Sequence, residues 1–196
     1  MSSLTTIAAI KSALDITTTA KDTLITTLEA DASAWIETEC ARTFGSASYT
    51  ELFSPGRDRR VQNNGARLVV KQYPIISVTS LHEDSDRVFD ATALIAAADY
   101  WSDDYGVNLY ADGDTVAFVP GERTVQLIYV AGYATIPSDL TRAAIMCAVH
   151  LFYKADRQKQ NVASESLGGV TVSYLNEIMP KEARAIVDRY RRPFGM

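Results

Sequence analysis

Ser138-Asp139-Leu140-Thr141-Arg142-Ala143-Ala144-Ile145-Met146-Cys147-Ala148-Val149-His150-Leu151-Phe152 follows Pro137 and carries apolar residues around nearly the whole circumference of a helix. A helix that is apolar on all sides has to be enclosed by other elements, so this one is expected to form the spine of a helical core. Ser138 offers a side-chain oxygen for the N-cap. Downstream, a polar stretch beginning at Gln158 gives way to Leu167-Gly168-Gly169 and then to the alternating Val170-Thr171-Val172-Ser173-Tyr174. Residues 158–175 are therefore expected to form an exposed arm or hairpin. Val170, Val172 and Tyr174 share one face of it, and that face suits addition of a strand to a neighbouring subunit, with an intramolecular hairpin as the alternative. Pro180 pre-sets the first turn of a last helix, with Ala183, Ile186, Val187 and Tyr190 on one face and Pro193 beyond its end.

Upstream of the spine, two more helices open the chain. Ile7, Ala8, Ile10, Lys11 and Leu14 describe a short one that breaks at the β-branched run Thr17-Thr18-Thr19. A longer helix is expected from about Ala20 to Phe44. There Leu24, Leu28, Ala32, Trp35, Ile36 and Cys40 recur at three- and four-residue spacing, and Gly45 supplies the stop.

Between these helical ends the period changes towards two. Tyr49–Phe53, Arg67–Val70, Ile76–Leu81, Val107–Tyr110, Thr115–Val119 and Thr124–Val130 are short β-branched or aromatic runs, many separated by turn residues. Asp112-Gly113 and Pro120-Gly121 are expected to join successive antiparallel strands. Ala91–Ala98 is open to a helical turn. The fold class is thus α+β. Residues 1–47 and 134–196 supply an α-helical bundle core, and residues 48–133 an inserted, mostly antiparallel β-sheet or small β-barrel lobe.

Composition bounds the function. The chain has 196 residues, 19 Lys and Arg against 24 Asp and Glu, and a formal net charge of −5. That length supports a sizeable core without staples. The acidic balance argues against a protein that wraps duplex DNA, which gains affinity by neutralising phosphates. Basic residues do cluster at Arg57-Asp58-Arg59-Arg60 and from Lys181 to Arg192, where a local anionic partner is conceivable beside the plainer reading of solvated surface. No apolar run approaches the length that spans a bilayer, so no membrane partner is expected. Met1-Ser2-Ser3-Leu4-Thr5 does not read as a secretion signal, and assembly in a cytoplasm is expected. Cys40 and Cys147 are expected to be buried thiols on helices rather than a bridge.

The search for chemistry finds no catalytic set. There is no phosphate-binding glycine loop, nucleophile elbow or dinucleotide fingerprint. His82-Glu83 begins like a zinc-helix motif, but Asp86 stands where the second histidine would be. His150 lies within the apolar helix and reads as a core histidine. The acidic groups at Glu83, Asp84 and Asp86, at Asp99, Asp103 and Asp104, and at Asp112 and Asp114 lack the spacing of a calcium loop and read as turn residues. No catalytic, cofactor-binding or metal-ligating residues are expected.

Several ordered segments carry a resemblance. These are the long helix ending Ala34-Trp35-Ile36-Glu37 through Cys40-Ala41-Arg42-Thr43-Phe44, then Tyr73-Pro74-Ile75-Ile76-Ser77-Val78, Tyr129-Val130-Ala131-Gly132-Tyr133, Ile136-Pro137-Ser138-Asp139-Leu140 and the terminal Tyr190-Arg191-Arg192. In this order and spacing the chain resembles the head-to-tail connector (adaptor, or head completion) proteins of tailed bacteriophages and prophages. The resemblance covers nearly the whole chain. It implies a non-catalytic structural protein of the virion, at the capsid vertex or neck, assembled in the host bacterial cytoplasm. It also implies a ring homo-oligomer, commonly of about twelve copies, beneath the portal protein. Such a ring extends the channel through which DNA passes without sequence-specific binding, and gives a platform to a neck or tail component such as a stopper or tail terminator. By analogy with the family, Arg189, Tyr190, Arg191, Arg192 and Phe194 are the expected portal contacts, arginine and aromatic side chains being the usual interface anchors. Two alternatives stay open: a tail-completion protein of the same virus, and a carbohydrate-binding module in the β-rich lobe with Tyr100, Trp101, Tyr105 and Tyr110 as a stacking platform.

Overall fold

A computed structural model describes residues 2–111, 113–156, 164–167, 170–173 and 179–191. The chain divides into two compact units, one drawn from Met1–Ala41 and Ile136–Arg192 and the other from Arg42–Thr135.

The first unit is helical. Its helices are α1 (Ile7–Leu14), α2 (Asp22–Cys40), α3 (Ser138–Asp156) and α4 (Lys181–Tyr190). Thr6 caps α1 by accepting a hydrogen bond from the Ala9 N–H at 3.2 Å, and Asp15 ends it in the left-handed region. Of the expected apolar stripe of α2, Leu28, Ala32, Ile36 and Cys40 are buried, whereas Leu24 and Trp35 are only half-buried and Ile25 takes the inner position in the first turn. Leu140, Ala143, Ala144, Cys147 and Ala148 of α3 are buried as well, in keeping with its expected place as the spine. The small residues of that row let neighbouring helices approach closely. Ala183 and Val187 are the buried residues of α4. Residues 164–167 and 170–173 form an antiparallel pair, β9 (Ser164–Leu167) and β10 (Val170–Ser173), in which Leu167 stands opposite Val170 and Glu165 opposite Val172. Tyr174 lies outside the described residues.

One helix boundary differs from expectation. α2 stops at Cys40, not near Phe44, because Ala41 adopts φ 52° and its N–H turns back to the carbonyls of Glu37 and Thr38. A non-glycine residue in that conformation gives no sequence signal, so Gly45 looked like the stop. Both cysteines are buried thiols, neither of them in a disulfide. The Cys40 thiol lies 3.7 Å from the Val187 carbonyl oxygen, and burial pushes the Cys147 thiol up to about 12. A thiolate is the reactive species, so neither cysteine is expected to react with a soluble disulfide reagent at about pH 8 until the helical unit is unfolded. Labelling of both thiols in native buffer as fast as in urea would contradict this packing.

The second unit holds two open sheets, with no closed barrel among the described residues. The first orders β1 (Ala47–Phe53), β8 (Val125–Ala131) and β4 (Ile75–Glu83), all antiparallel, with β8 in the centre. The second runs β2 (Val61–Gln62), β3 (Arg67–Val69), β6 (Gly106–Ala111) and β5 (Tyr100–Asp103), with β7 (Asp114–Thr115) paired to the end of β6. Strand alternation places Val125, Leu127, Tyr129 and Ala131 of β8 fully inside. They meet Phe53, Leu68, Leu81, Val107, Leu109 and Phe118 in one core contributed by both sheets.

Two local expectations are revised, and the open reading of Ala91–Ala98 is decided. Ala111 stands opposite Asp114 with Gly113 at φ 89°, as a tight hairpin requires, but of the run 115–119 only Thr115 enters a strand. Beyond it, the Val116 N–H bonds to Leu109 O and the Phe118 N–H to Gly65 O, so the segment lies along the second sheet instead of pairing with β8. Pro120-Gly121 therefore joins no hairpin, and the Gly121 N–H donates to Pro55 O at 3.1 Å. Ala91–Ala98 forms turns and a bridge between His82 and Leu94, not a helix.

Candidate docking surfaces

The residues expected to contact a portal begin on the last turn of α4. There the Tyr190 hydroxyl donates to Asp139 Oδ1 at 2.6 Å, tying the end of α4 to the start of α3. Arg191 donates to Glu39 on α2 and lies 3.4 Å from Asp188. Its guanidinium is held further towards the charged form by the Glu39 hydrogen bond. Arg189 is the loosest of the three, 3.8 Å from Asp139 with its side chain 66% exposed. Tyr190 and Arg191 thus have packing work inside the helical unit, whereas Arg189 projects to solvent. Arg192 and Phe194 lie outside the described residues.

The aromatic residues of the β-rich unit do not form one platform. Trp101 pairs with Asn108 in the β5–β6 register and Tyr100 with Leu109, so period-two alternation sends Tyr100 towards the core and Trp101 to the opposite face. Tyr110 shares the outer face with Trp101, while Tyr105 sits in the β5–β6 turn and tilts against Tyr73 with ring centroids 5.3 Å apart. The Arg67 guanidinium bridges to both oxygens of Asp103, at 2.9 and 2.6 Å. Burial raises the Asp103 pKa, but hydrogen bonds from Tyr105, Arg67 and Gly106 prevail, and the carboxyl stays below the ordinary value.

The basic cluster at 57–60 splits in two. Arg60 turns inward to Glu51 and Asp58, with its guanidinium 4.5 Å from the Phe53 ring centre. Burial disfavours the Asp58 carboxylate, yet the side-chain and backbone hydrogen bonds from Arg60 hold its pKa below the ordinary value. Arg57 and Arg59 remain outside. They line an open cleft of about 630 Å³ together with Val61, Ala117, Val119 and Pro120. Arg57 reaches Glu122 only at 3.6 Å, across a largely exposed pair. The sequence marks the cluster as basic but cannot tell which arginine turns inward.

Arg42 is the functional-looking feature that sequence reasoning missed. It is only 4% exposed, and its guanidinium lies 3.8 Å from the Tyr73 ring centre, 4.7 Å from Phe44 and 5.5 Å from Tyr133. Its Nε and Nη2 have no hydrogen-bond partner among the described residues. The aromatic faces compensate part of the burial cost of the cation. Tyr73, Phe44 and Tyr133 are distant in sequence, so no local pattern announces the cage.

Among the described residues no cluster of histidine, cysteine, aspartate and glutamate is arranged to hold a metal ion, and no helix is long and apolar enough to cross a membrane. No curated protein matches the chain. The fold is similar to that of a chain in the neck of an empty GTA particle computed with C6 symmetry, at 19% identity and a TM-score of 0.58, covering 94% of this chain and 88% of that one. It is also similar to a chain of the virion of a native gene transfer agent (GTA) particle, at 21% identity and a TM-score of 0.59, over 94% and 88% of the two chains. A chain from the neck of a native GTA particle computed with C12 symmetry gives 19% identity and a TM-score of 0.57, over 94% and 87%. The head completion protein family matches residues 3–193. With that match running through both units, the chain belongs to the head completion protein family.

Proposed function

We propose that this protein is a ring-forming head-to-tail connector that docks under the portal of a phage-like particle, extends the DNA channel and presents a platform to the next neck or tail component. The observation that carries the reading is the family match over residues 3–193, supported by likeness of fold to chains in GTA necks computed with sixfold and twelvefold symmetry. The role is structural, not enzymatic. The helical unit carries the portal contact through Arg189, Arg192 and Phe194, with Tyr190 and Arg191 bracing the end of α4 from within. The 158–175 arm, through Val170, Val172 and Tyr174, joins neighbouring copies. An acidic ring lets DNA slide where a basic lining would retard it.

The portal contact is tested with the triple variant Arg189→Glu, Arg192→Glu, Phe194→Ala, which spares the Tyr190 and Arg191 ties. The variant is expected to keep its circular dichroism and lose binding to portal-bearing heads that lack the protein. Docking at wild-type level by the folded variant would remove the carboxy-terminal contact from the proposal.

A further inference from the structure

We propose that the outer face of α3 in one copy packs against the outer face of α2 in the next, a contact additional to that of the arm and one that rests on the ring reading above. α3 is apolar around its circumference but buried on one side only. Leu140, Ala143, Ala144, Cys147 and Ala148 are buried, whereas Ile145, Met146 and Val149 are half-buried, Tyr153 is 47% exposed and Arg142 is exposed. At about 100° per residue, these last five share the face turned away from the core. A surface helix ordinarily fills that face with charged and polar residues.

The charge and shape of α2 name the occupant. Arg142 in the α3 stripe and Asp31 on the outer side of α2 are both exposed, of opposite sign, and neither side chain has a hydrogen bond or ion pair among the described residues. Beside Asp31 run Thr23, Thr27, Ala30, Ala34 and Thr38, all exposed except half-buried Ala34 and none larger than threonine. The Thr27 and Thr38 hydroxyls donate to the carbonyl oxygens of Thr23 and Ala34 at 3.2 and 2.8 Å, so these polar groups are satisfied within the helix. Small side chains admit a second helix at short interaxial distance, and the bulkier Ile145, Met146, Val149 and Tyr153 fill the space between the two. Within one copy α2 and α3 pack directly on each other through their buried rows, so the outer stripes point away from each other. Each copy therefore presents one stripe on either side, the head-to-tail arrangement that closes into a ring.

The test adds Asp31→Arg and Arg142→Glu, each alone, mixed, and combined in one chain, to portal-bearing heads that lack the protein, and reads the ladder of linked copies given by a lysine-reactive cross-linker. Both positions are exposed, so the variants are expected to keep the circular dichroism of wild type. Either substitution alone sets like charges face to face and is expected to remove about nine-tenths of the ladder. The doubly substituted chain is expected to regain it. So is the equimolar mixture of the two single variants, because copies alternating around an even-numbered ring set opposite charges at every contact. A role for Asp31 or Arg142 inside one copy would not give rescue by mixing. In a second arm, Ala30→Trp is expected to keep the fold and lose the ladder by filling the space that α3 takes. Single variants or folded Ala30→Trp with a wild-type ladder, or single variants that neither the mixture nor the double substitution rescues, would overturn the inference and leave the ring intact. Wild-type protein held at the vertex without linked copies would overturn the ring reading itself. A normal ladder in variants that no longer retain the next neck component would assign the stripes to that component and also overturn the inference.

Discussion

Gly132→Ala is expected to destabilise the β-rich unit by about 3 kcal/mol or more, combining the strain of an unfavourable backbone conformation with forced backbone displacement. Gly132 has φ 112°, which side-chain-bearing residues rarely adopt. A Cβ added there would lie 2.5 Å from Gly45 O, 2.8 Å from its carbonyl carbon and 2.9 Å from Phe44 O. All three are backbone atoms, fixed by the Gly45–Tyr133 bridge and by the Tyr133 N–H donating to Phe44 O at 2.7 Å. The Tyr129-Val130-Ala131-Gly132-Tyr133 motif thus acquires a physical reason: the strand can leave the sheet past Gly45 only where no side chain intervenes. Gly113→Ala is the control, because Gly113 also has positive φ yet its added Cβ meets nothing within 4 Å. Its cost should be the strain alone, about 1 kcal/mol. Hydrogen exchange of residues 125–133 in urea measures both, and equal effects of the two substitutions would contradict the close-approach argument.

Glu51→Ala should cost a comparable amount, about 3 kcal/mol, since it strands several polar partners at once. The Glu51 carboxylate is 9% exposed, accepts from Tyr129 Oη and from Arg60, and takes the Lys71 N–H at 2.8 Å. Tyr129 is fully buried, and burial together with Glu51 pushes its phenol above the ordinary value, so the hydroxyl remains a donor. With alanine at 51, that hydroxyl and the Arg60 guanidinium lose their shared acceptor, leaving Arg60 with Asp58. Glu51→Gln keeps an acceptor oxygen and should lose roughly half as much. Exchange of β1 and β8 amides reads the difference, and an alanine variant indistinguishable from wild type would show that water replaces the carboxylate.

The helical unit was more legible than its surroundings because three- and four-residue periodicity survives over long runs. Leu28, Ala32, Ile36 and Cys40 of α2 repeat and are buried, while the all-round apolar run of α3 marks a central helix without telling that Leu140, Ala143, Ala144, Cys147 and Ala148 form its buried face. Strand residues with clean alternation, as in Val125–Ala131, were equally readable. Legibility failed where tertiary hydrogen bonds overrode composition. Thr115–Val119 is β-branched enough to be a strand, yet its partners alternate between Leu109 and Gly65. Tyr100–Asp103 is a strand although two of its four positions are serine and aspartate, because β6 offers it an edge. At the candidate docking surfaces, residue type was readable and direction was not. Nothing local separates Arg60, turned inward to Glu51, from Arg57 and Arg59, or reveals that Tyr190 and Arg191 tie α4 to α3 and α2. The Arg42 cage required three aromatics brought together by the fold.

The connector proposal is tested most directly by incubating gold-labelled protein with portal-bearing, DNA-filled heads that lack it and imaging where the label binds. Label confined to a single vertex, with a ring of density beneath the portal after averaging, is the predicted result. Folded protein that leaves the heads bare, or decorates them without preference for that vertex, would contradict it.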